Sequence, residues 1–264
     1  MLQILRYNWP LYASTWIGGA AGLVGLARLP LPSPARWLLG SITCSGLGWS
    51  AMSLMTAHYV YDLSALSRWD WLSDLFADST PRAKGRYLNL HAGVDEAGGG
   101  VQRAFPAGQH LTADFYDPRS MPEGSIRRAR EQDAAVSPTA ALRVASHALP
   151  FADGSWDAVL LVFAAHELRA PAARTRLFSE LRRVLSADGA VVLAEHMRDL
   201  PNFLAFGPGV LHWYPGRTWL DAAHQAGLTL TAERRLTPFV HALVFRPGVA
   251  PPVPGHVPPS AALW

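Results

Sequence analysis

The chain has 264 residues, of which 50% are hydrophobic and only 16% are charged, with a net charge of +3; a soluble domain has roughly 25% charged residues, so part of the surface is expected to avoid water. Its arginines are dispersed rather than gathered in a basic, aromatic-rich run, which argues against nucleic acid as a partner. Cys44 is the only cysteine and Lys84 the only lysine, which excludes a disulfide framework, a multi-cysteine zinc site and a Gly-Lys-Ser/Thr phosphate loop.

Two apolar segments near the N-terminus have the length of membrane-spanning helices. Residues 7–27 carry no ionisable charge, and as a helix they would span roughly 31 Å at 1.5 Å per residue. Residues 37–61 contain His58 as their one group that titrates near neutrality. The intervening LPLPSPAR is proline-rich and predicts a tight connection. These features predict a transmembrane helical hairpin, and the alternative is a pair of buried helices in a soluble protein.

Small residues cluster on both apolar segments, as GGAAG and GSITCSGLG. Such surfaces allow two helix backbones to approach closely in lipid, and they would also suit a homo-oligomer. We therefore expect a lipid bilayer as a partner and three regions in the chain: the hairpin at 1–65, a second domain at 66–247 and a proline-rich tail at 248–264.

In the second region, segments with strand and helix character alternate. The run DAVLLVF is continuously apolar, as expected for a central parallel strand that is covered on both faces. Leu177, Leu181 and Leu185 recur at every fourth position and predict one buried helical stripe. Alternation over this length predicts a doubly wound, mostly parallel sheet with helices on both faces and a ligand at the carboxyl ends of the strands. The predicted elements, in order, are helix SRWDWLSDLF, strand GRYLNLHAG, helix VDEAGGGVQRAF, strand HLTADFYDP, helix SIRRAREQDA, strands LRVAS and DAVLLVF, helix PAARTRLFSELRRVLS, strand GAVVLAEH, helix GRTWLDAAHQAGL, and strands LTLTAERRLT and FVHALVFRP.

One stretch carries a specific family resemblance. Residues 149–196, LPFADGSWDAVLLVFAAHELRAPAARTRLFSELRRVLSADGAVVLAEH, resemble the class I S-adenosylmethionine-dependent methyltransferases, particularly the UbiE-like small-molecule group. The shared features are the LPF-x-DGSFD-V run, an apolar strand that ends near histidine, the ELxRVLxxGG helix and turn, and an apolar fifth strand. This resemblance implies a Rossmann-like fold, S-adenosylmethionine as cofactor and methyl transfer to a small molecule. The rival hypothesis is a non-catalytic membrane protein that keeps a degenerate cofactor fold as a binding or scaffold module.

The resemblance places the cofactor loop after the first strand, but the loop departs from the family pattern. His91, Ala92, Gly93, Val94 and Asp95 stand where the family has an acidic residue followed by x-Gly-x-Gly. A carboxylate here would repel a phosphate, whereas S-adenosylmethionine carries a sulfonium and an ammonium group. Asp95 is therefore a candidate for binding the ammonium group, and the alternative is that it caps the following helix.

The ends of the next strands should complete the cofactor site. By resemblance, an acid after the second strand binds the ribose hydroxyls; Asp114 fits best and Asp117 is the alternative. The third strand lacks the family's aspartate near the adenine amine, so that contact falls to Ser146 or is altered. The remaining expected cofactor contacts are Phe115, Phe163 and Ala164.

Two histidines follow the predicted fourth and fifth strands, His166 and His196. Histidine suits proton removal near pH 7, so either is a candidate general base, and either could serve only as a structural hydrogen-bonding residue. His166 and Glu167 begin like a zinc-protease motif, but Ala170 replaces its second histidine. We therefore expect no metal.

The segment from residue 196 to residue 215 is richer in apolar and aromatic residues than an ordinary surface loop. It predicts an apolar lid over the acceptor, although the same residues could simply pack the edge of the sheet. The expectation is then a membrane-anchored methyltransferase acting on a small lipophilic acceptor, such as a fatty acid derivative or a quinone or isoprenoid precursor. Its catalytic domain should face the cytoplasm, where the cofactor is made. The predicted acceptor-binding residues are Arg198, Phe203, Phe206, His212 and Trp213.

Overall fold

The computed structural model describes residues 2–76, 84–136 and 141–248. Helix α1 (Leu2–Tyr7) precedes two long helices, α2 (Trp9–Arg28) and α3 (Ser33–His58), which pack against each other as an antiparallel pair. The predicted helical hairpin is present, and its second helix begins four residues earlier than expected because Pro34 occupies the first turn, where proline is tolerated. The predicted tail falls outside the described residues except for Gly248.

Small residues bring α2 and α3 together. A Cβ atom added at Gly22 would lie 2.2 Å from Thr43 Oγ1, and one added at Gly19 would lie 2.5 Å from Leu47. Trp16 Nε1 also donates a 2.7 Å hydrogen bond to Ser50 Oγ. The helices thus depend on glycine at their crossing, as the small-residue clusters predicted.

The outer surface of this helical pair is apolar. Within the described residues, one helical run, Ser33–Arg68, is long and apolar enough to cross a membrane, and only 11% of its apolar window is buried. The first helix of the pair, α2, is not apolar enough over its length to meet the same test. This finding is weak evidence for a membrane span, since some helices of soluble proteins also meet it. The exposed large apolar residues of the pair are Trp9, Leu11, Trp16, Ile17, Leu23, Val24, Trp37, Leu38, Ile42, Met52 and Met55.

A seven-stranded sheet forms the rest of the molecule, in the order β3-β2-β1-β4-β5-β7-β6. The first five of these strands are parallel, and β7 runs antiparallel to both β5 and β6. This arrangement confirms the predicted doubly wound, mostly parallel sheet. The strands are β1 (Arg86–His91), β2 (Gln109–Asp114), β3 (Leu142–Arg143), β4 (Trp156–Val162), β5 (Leu185–His196), β6 (Leu228–Thr237) and β7 (Val240–Pro247).

Both faces of the sheet are covered, because alternate residues of each central strand enter different clusters. Leu161 and Leu193 point to the side of the helices at 171–184 and 216–225, whereas Leu160 and Val192 point to the side of residues 60–76 and the helix at 98–104. The sheet therefore has a core on each side. The helices around it are α4 (Asp70–Leu75), α5 (Gly98–Ala104), α6 (Gly124–Val136), α7 (Pro171–Val184), α8 (Leu200–Phe206) and α9 (Gly216–Gln225).

Several further details differ from the prediction. Leu177 and Leu181 are buried on α7 as expected, but Leu185 already begins β5. Helix α5 begins at Gly98 rather than near Val94, since the preceding residues form a tight turn. The predicted lid is not a simple loop: it contains α8 and a 3-10 turn, Gly207–His212.

Candidate active site

A cavity of about 430 Å³ opens at the carboxyl ends of β1, β4 and β5. This volume lies within the roughly 300 to 1,000 Å³ that is usual for small-molecule sites. A more open hollow of about 630 Å³ lies between α7 and α9, away from the strand ends where this fold binds ligands. The first cavity is therefore the candidate site. Its wall includes Tyr7, Leu11, Tyr12, Ser53 and Ala57 of the N-terminal helices, and its other side includes Ala92, Glu96, His166, Glu167, His196, Phe206, His212 and Trp213.

The turn after β4 is held in place by a buried carboxylate. Glu195 on β5 is completely buried. Its Oε1 accepts hydrogen bonds from the backbone amides of Ala165, at 3.0 Å, and His166, at 3.3 Å, and its Oε2 lies 2.8 Å from His166 Nδ1. A carboxylate can only accept, so Nδ1 carries the proton. The other ring nitrogen, Nε2, points toward Glu167 Oε1 at 3.4 Å.

The two neighbouring carboxylates control the charge of His166. Burial alone would lower the pKa of His166, but Glu195 and Glu167 outweigh burial and raise this pKa to about 10. In this state the imidazole is protonated at neutral pH and has no lone pair with which to accept a proton. The arrangement therefore argues against His166 as a general base in the absence of a further ligand.

His196 is held in the opposite state. Its Nδ1 lies 3.1 Å from Asn202 Oδ1, and the Asn202 amide group donates to Asp199 Oδ1 and to the Phe239 carbonyl oxygen. These donations orient the amide so that its oxygen accepts the Nδ1 proton. Nε2 then accepts a hydrogen bond from the Tyr61 hydroxyl at 3.2 Å. Burial lowers the pKa of His196 to about 4, so it is neutral at pH 7.

Aromatic rings enclose His196. Trp213 stacks on one side with ring centroids 4.4 Å apart, and Phe163 stacks on the imidazole at 5.2 Å. Phe206 meets the same imidazole edge-on at 5.6 Å. Phe163 has a positive φ of 51°, a strained conformation of the kind that recurs at functional sites. An apolar, aromatic environment therefore surrounds this histidine.

The five predicted acceptor-binding residues fall into two groups. Phe206, His212 and Trp213 line the cavity. Arg198 and Phe203 do not: the Arg198 guanidinium donates to the carbonyl oxygens of residues 211 and 213, and Phe203 packs edge-on against Trp49 of α3. These two side chains connect the lid to its surroundings instead of facing the cavity.

The loop after β1 has an unusual backbone geometry. Gly93 adopts a φ of +136°, and a Cβ atom there would lie 3.0 Å from the Arg130 side chain. The Gly93 amide donates to His91 Nδ1 at 3.2 Å. Ala92 and Val94 line the cavity, so the loop presents backbone and small side chains to it.

Asp95 caps helix α5, which was the alternative to the predicted binding of an ammonium group. Its Oδ1 accepts hydrogen bonds from the Asn89 side chain at 2.6 Å and from the backbone amides of Ala97 and Gly98 at 3.1 and 2.7 Å. Three donors at one oxygen explain why an acidic residue replaces glycine here. The next residue, Glu96, instead faces the cavity.

Glu96 combines depth with access to the cavity. The residue is surrounded by protein on most sides, but the open cavity leaves it accessible to solvent. Desolvation by the surrounding protein raises its pKa to about 7; His166 opposes this increase, and Glu195 and Asp95 add to it. The Glu96 carboxylate is therefore accessible to a cation in the cavity. The sequence analysis missed Glu96, although its position directly after Asp95 is a usable signal.

At the end of β2, Asp114 is buried and ion-paired. Its Oδ2 accepts a 2.7 Å hydrogen bond from Arg130, and its Oδ1 accepts the Tyr116 amide at 2.9 Å. Asp117, the alternative, closes an exposed turn by accepting the Arg119 amide at 3.0 Å.

The other predicted cofactor contacts differ in accessibility. Phe115 and Ala164 are buried in the core, Ser146 lies in the turn after β3 and is half-buried, and Phe163 lines the cavity. Phe163 is therefore the member of this group that can meet a ligand in the cavity.

Residues 116–193 match the family described as a methyltransferase domain. These residues, which run from the loop after β2 into β5, are similar to that domain. Two solved structures are similar to it: a SAM dependent methyltransferase from Aquifex aeolicus, with 15% identity and a TM-score of 0.50 over 75% of this chain and 97% of that one, and a protein from Pyrococcus horikoshii OT3, with 20% identity and a TM-score of 0.47 over 72% and 95%. No curated protein matches the chain significantly.

The prediction of a methyltransferase is confirmed by the domain match, and the rival non-catalytic hypothesis is not favoured. At 15% identity the similarity to the Aquifex aeolicus protein shows a shared fold, and this fold agrees with S-adenosylmethionine as the predicted cofactor. The UbiE-like subgroup and the acceptor stay predictions.

Several cavity residues had no role in the sequence analysis. Glu167 and Glu195 each adjoin a predicted histidine, so the His-Glu and Glu-His pairs were an available signal. Tyr61 and Glu123 come from distant parts of the chain, and no local pattern points to them. Their approach to the histidines depends on how residues 59–63, and Glu123 just before α6, pack over the strand ends.

Proposed function

We propose that the protein is a membrane-anchored, S-adenosylmethionine-dependent methyltransferase whose acceptor is a small lipophilic molecule. The observation that carries this proposal is the composition of the cavity wall. Tyr12, Ser53 and Ala57 of the helical pair line the same cavity as His166 and His196 at the strand ends. A molecule between the two helices and the sheet would therefore contact apolar helix surface and titratable groups together.

The residues at the β1 and β2 ends fit the cofactor. S-adenosylmethionine carries positive charge, and Glu96 offers an accessible carboxylate in the cavity. Both oxygens of Asp114 keep accepting capacity beyond their hydrogen bonds from Arg130 and Tyr116, so this carboxylate can also accept from a ribose diol. Gly93 lets the loop approach without a side chain. When bound, the cofactor supplies an electrophilic methyl group.

The membrane part of the proposal rests on the exposed apolar surface of α2 and α3. Contiguous apolar patches larger than a few hundred Å² are unusual on soluble monomers. Tyr7 and Tyr59 lie near the domain-proximal ends of the pair, where aromatic residues favour the membrane interface. We propose two spans, with the catalytic domain on the cytoplasmic side.

His196 is the better placed of the two histidines to receive a proton from the acceptor. It is neutral at pH 7, and its Nε2 faces Tyr61. When an acceptor oxygen or nitrogen takes the methyl group, its proton would pass to His196 Nε2, directly or through the Tyr61 hydroxyl. The aromatic surroundings exclude water and orient an apolar acceptor.

The test is methyl transfer from labelled S-adenosylmethionine to lipid extracts, using the full chain in detergent micelles. We expect label in an organic-soluble product. Trp213→Ala should reduce this labelling at least about tenfold because Trp213 covers His196. Leu211→Ala is the matched control, since Leu211 lies on the same turn, is 66% exposed and should retain labelling within about twofold.

Two outcomes would contradict the proposal: failure of the full chain to bind S-adenosylhomocysteine, or labelling confined to water-soluble acceptors. The anchor is tested separately. The full chain should float with liposomes, and a variant lacking residues 1–58 should not; flotation of both would overturn the anchoring role of the helical pair.

A further inference from the structure

Three side chains from two segments converge at the cavity without a role in the mechanism above. His166 and Glu167 belong to the turn after β4, and His212 ends the 3-10 turn that follows α8. One ligand atom from each lies within 4.8 Å of the others. The His166 and His212 rings meet nearly perpendicular, with centroids 5.0 Å apart.

The separations suit one small cation. Glu167 Oε1 lies 3.4 Å from His166 Nε2 and 3.9 Å from His212 Nε2. Ligand atoms at roughly 2.0 to 2.1 Å from a tetrahedral zinc ion lie about 3.4 Å from each other. Small side-chain rotations would therefore place all three atoms on one ion.

Each histidine is supported from behind by a carboxylate. Glu195 Oε2 lies 2.8 Å from Nδ1 of His166, and Glu123 Oε2 lies 3.1 Å from Nδ1 of His212. This arrangement directs both Nε2 atoms forward, and it is the support that metal-binding histidines commonly have. The Arg169 guanidinium, which can only donate, lies 2.6 Å from the same Nδ1 while it is ion-paired with Glu123. Metal binding through Nε2 therefore requires Nδ1 to carry a proton, donate it to Glu123 and lose its contact with Arg169.

A second observation points to a missing partner at this position. Glu167 is nine-tenths buried, and its Oε2 has no hydrogen-bond partner among the described residues. An unpaired buried carboxylate oxygen is costly because it has lost water without gaining a donor. A cation bound by this carboxylate, through Oε1 or through both oxygens, would offset that cost.

We propose that His166, Glu167 and His212 bind a divalent transition-metal ion of the zinc class. Two histidines and one glutamate are a ligand set that zinc accepts, and three protein ligands leave a position open for a further ligand. His166, Glu167 and His212 all line the cavity, so that position faces the proposed acceptor.

The consequence for chemistry rests on the proposed function. An acceptor hydroxyl or carboxyl oxygen at the open position would be held close to the methyl donor and would lose its proton more easily, because a divalent cation stabilises the oxyanion. The substrate class then narrows to lipophilic acceptors with an oxygen donor. His196 remains free to take the released proton.

The experiment measures metal binding directly on the chelator-treated full chain in detergent. Zn²⁺ is titrated by calorimetry, and Co²⁺ by the visible absorption that tetrahedral cobalt shows. We expect one ion per chain. Glu167→Gln and His212→Gln should each weaken binding at least about hundredfold, and Glu123→Gln about tenfold through loss of outer support. His224→Ala, at an exposed histidine on α9, should bind as the unmodified chain does.

Thermal unfolding and S-adenosylhomocysteine binding are measured on every variant to show that it is folded. Absence of binding in the unmodified chain, or unchanged binding in folded Glu167→Gln and His212→Gln, would overturn the metal site. If the metal binds while S-adenosylhomocysteine does not, the site stands and the proposed function fails. The reverse result would leave the function standing and remove the site.

Discussion

The two halves of the cavity are built on different principles. At the proposed cofactor end, formed by the loop after β1 and the end of β2, Asp95 and Asp114 are satisfied by backbone amides and neighbouring side chains. At the proposed acceptor end, formed by the turns after β4 and β5, His166 and His196 are buried with pKa values moved in opposite directions. Displaced pKa values of this kind concentrate at functional sites.

The difference indicates where sequence can vary. A cofactor that is held by backbone and by a few carboxylates tolerates an altered loop, provided that one glycine keeps its φ of +136°. The acceptor end depends instead on specific buried side chains, so its substitutions should have larger effects. The predictions below test this contrast, beginning with the largest effect.

Glu195→Gln should have the largest effect. Both oxygens of Glu195 accept hydrogen bonds from the Ala165 and His166 turn, whereas glutamine offers one acceptor, so at least one buried donor loses its partner. We expect a loss of about 3 to 5 kcal/mol of unfolding free energy, as when a buried pair is broken.

Chemical unfolding in detergent measures that loss. The matched control is Glu233→Gln, which removes the carboxylate that pairs with His241 at 2.8 Å but is 50% exposed; its cost should stay below about 1 kcal/mol. Equal costs for the two variants would contradict the special role of the buried carboxylate at the acceptor end.

The next largest effect should be a loss of stability at acidic pH caused by the buried, neutral His196. Burial lowers its folded pKa to about 4 from an unfolded value of 6.5, so between these pH values the unfolded chain binds more protons and stability falls as pH falls. A shift of this size corresponds to about 3 kcal/mol over the window. The comparison is between the unmodified chain and His196→Gln. Tyr61, Asn202 and Asp199, the polar neighbours of His196, are present in both proteins.

The measurement is the unfolding free energy of both proteins from pH 7 to pH 4. The variant should lose less stability than the unmodified chain by about the same 3 kcal/mol, since the other groups cancel in the difference. Parallel curves would show that His196 is not held neutral in the folded protein.

Sequence reasoning succeeded where a pattern is local. The apolar runs ending at Val162 and His196 predicted central strands, and Leu177 and Leu181 predicted the buried face of α7, because burial of each element is repeated along its own residues. The helical pair was predicted for the same reason. The order of the strands in the sheet was not predicted, because no single residue specifies it.

Sequence reasoning failed where contacts are distant. Glu123 reaches His212, and Tyr61 reaches His196, only after α6 and residues 59–63 pack across the strand ends. Arg198 was placed in the acceptor site from its position in an apolar segment, but its guanidinium satisfies backbone carbonyl groups of the lid. A charged residue in a loop has many partners available, and only the tertiary structure chooses among them.

Asp114→Asn and Asp117→Asn should separate the two alternatives for ribose binding. Removing the Asp114 charge weakens its pairing with Arg130 and the acceptance of ribose hydroxyl groups. Charge-assisted hydrogen bonds contribute about 1.5 to 3 kcal/mol, so S-adenosylhomocysteine affinity should fall about thirtyfold in calorimetry. Asp117→Asn, in an exposed turn, should change it less than threefold. The reverse order would move the ribose contact to Asp117.

The smallest effects should come from the loop after β1, and they bear most directly on its missing glycine. Asp95→Asn keeps an oxygen that can accept from Asn89, Ala97 and Gly98, so it should cost about 1 kcal/mol of unfolding free energy and leave S-adenosylhomocysteine affinity within threefold. Glu96→Gln removes the carboxylate that faces the cavity and should weaken that affinity about fivefold to tenfold, since one charge-assisted contact with the ammonium group is lost. Calorimetry on both variants decides which acid meets the cofactor. If Asp95→Asn weakens binding more than Glu96→Gln, the capping role is incomplete and Asp95 also contacts the ammonium group.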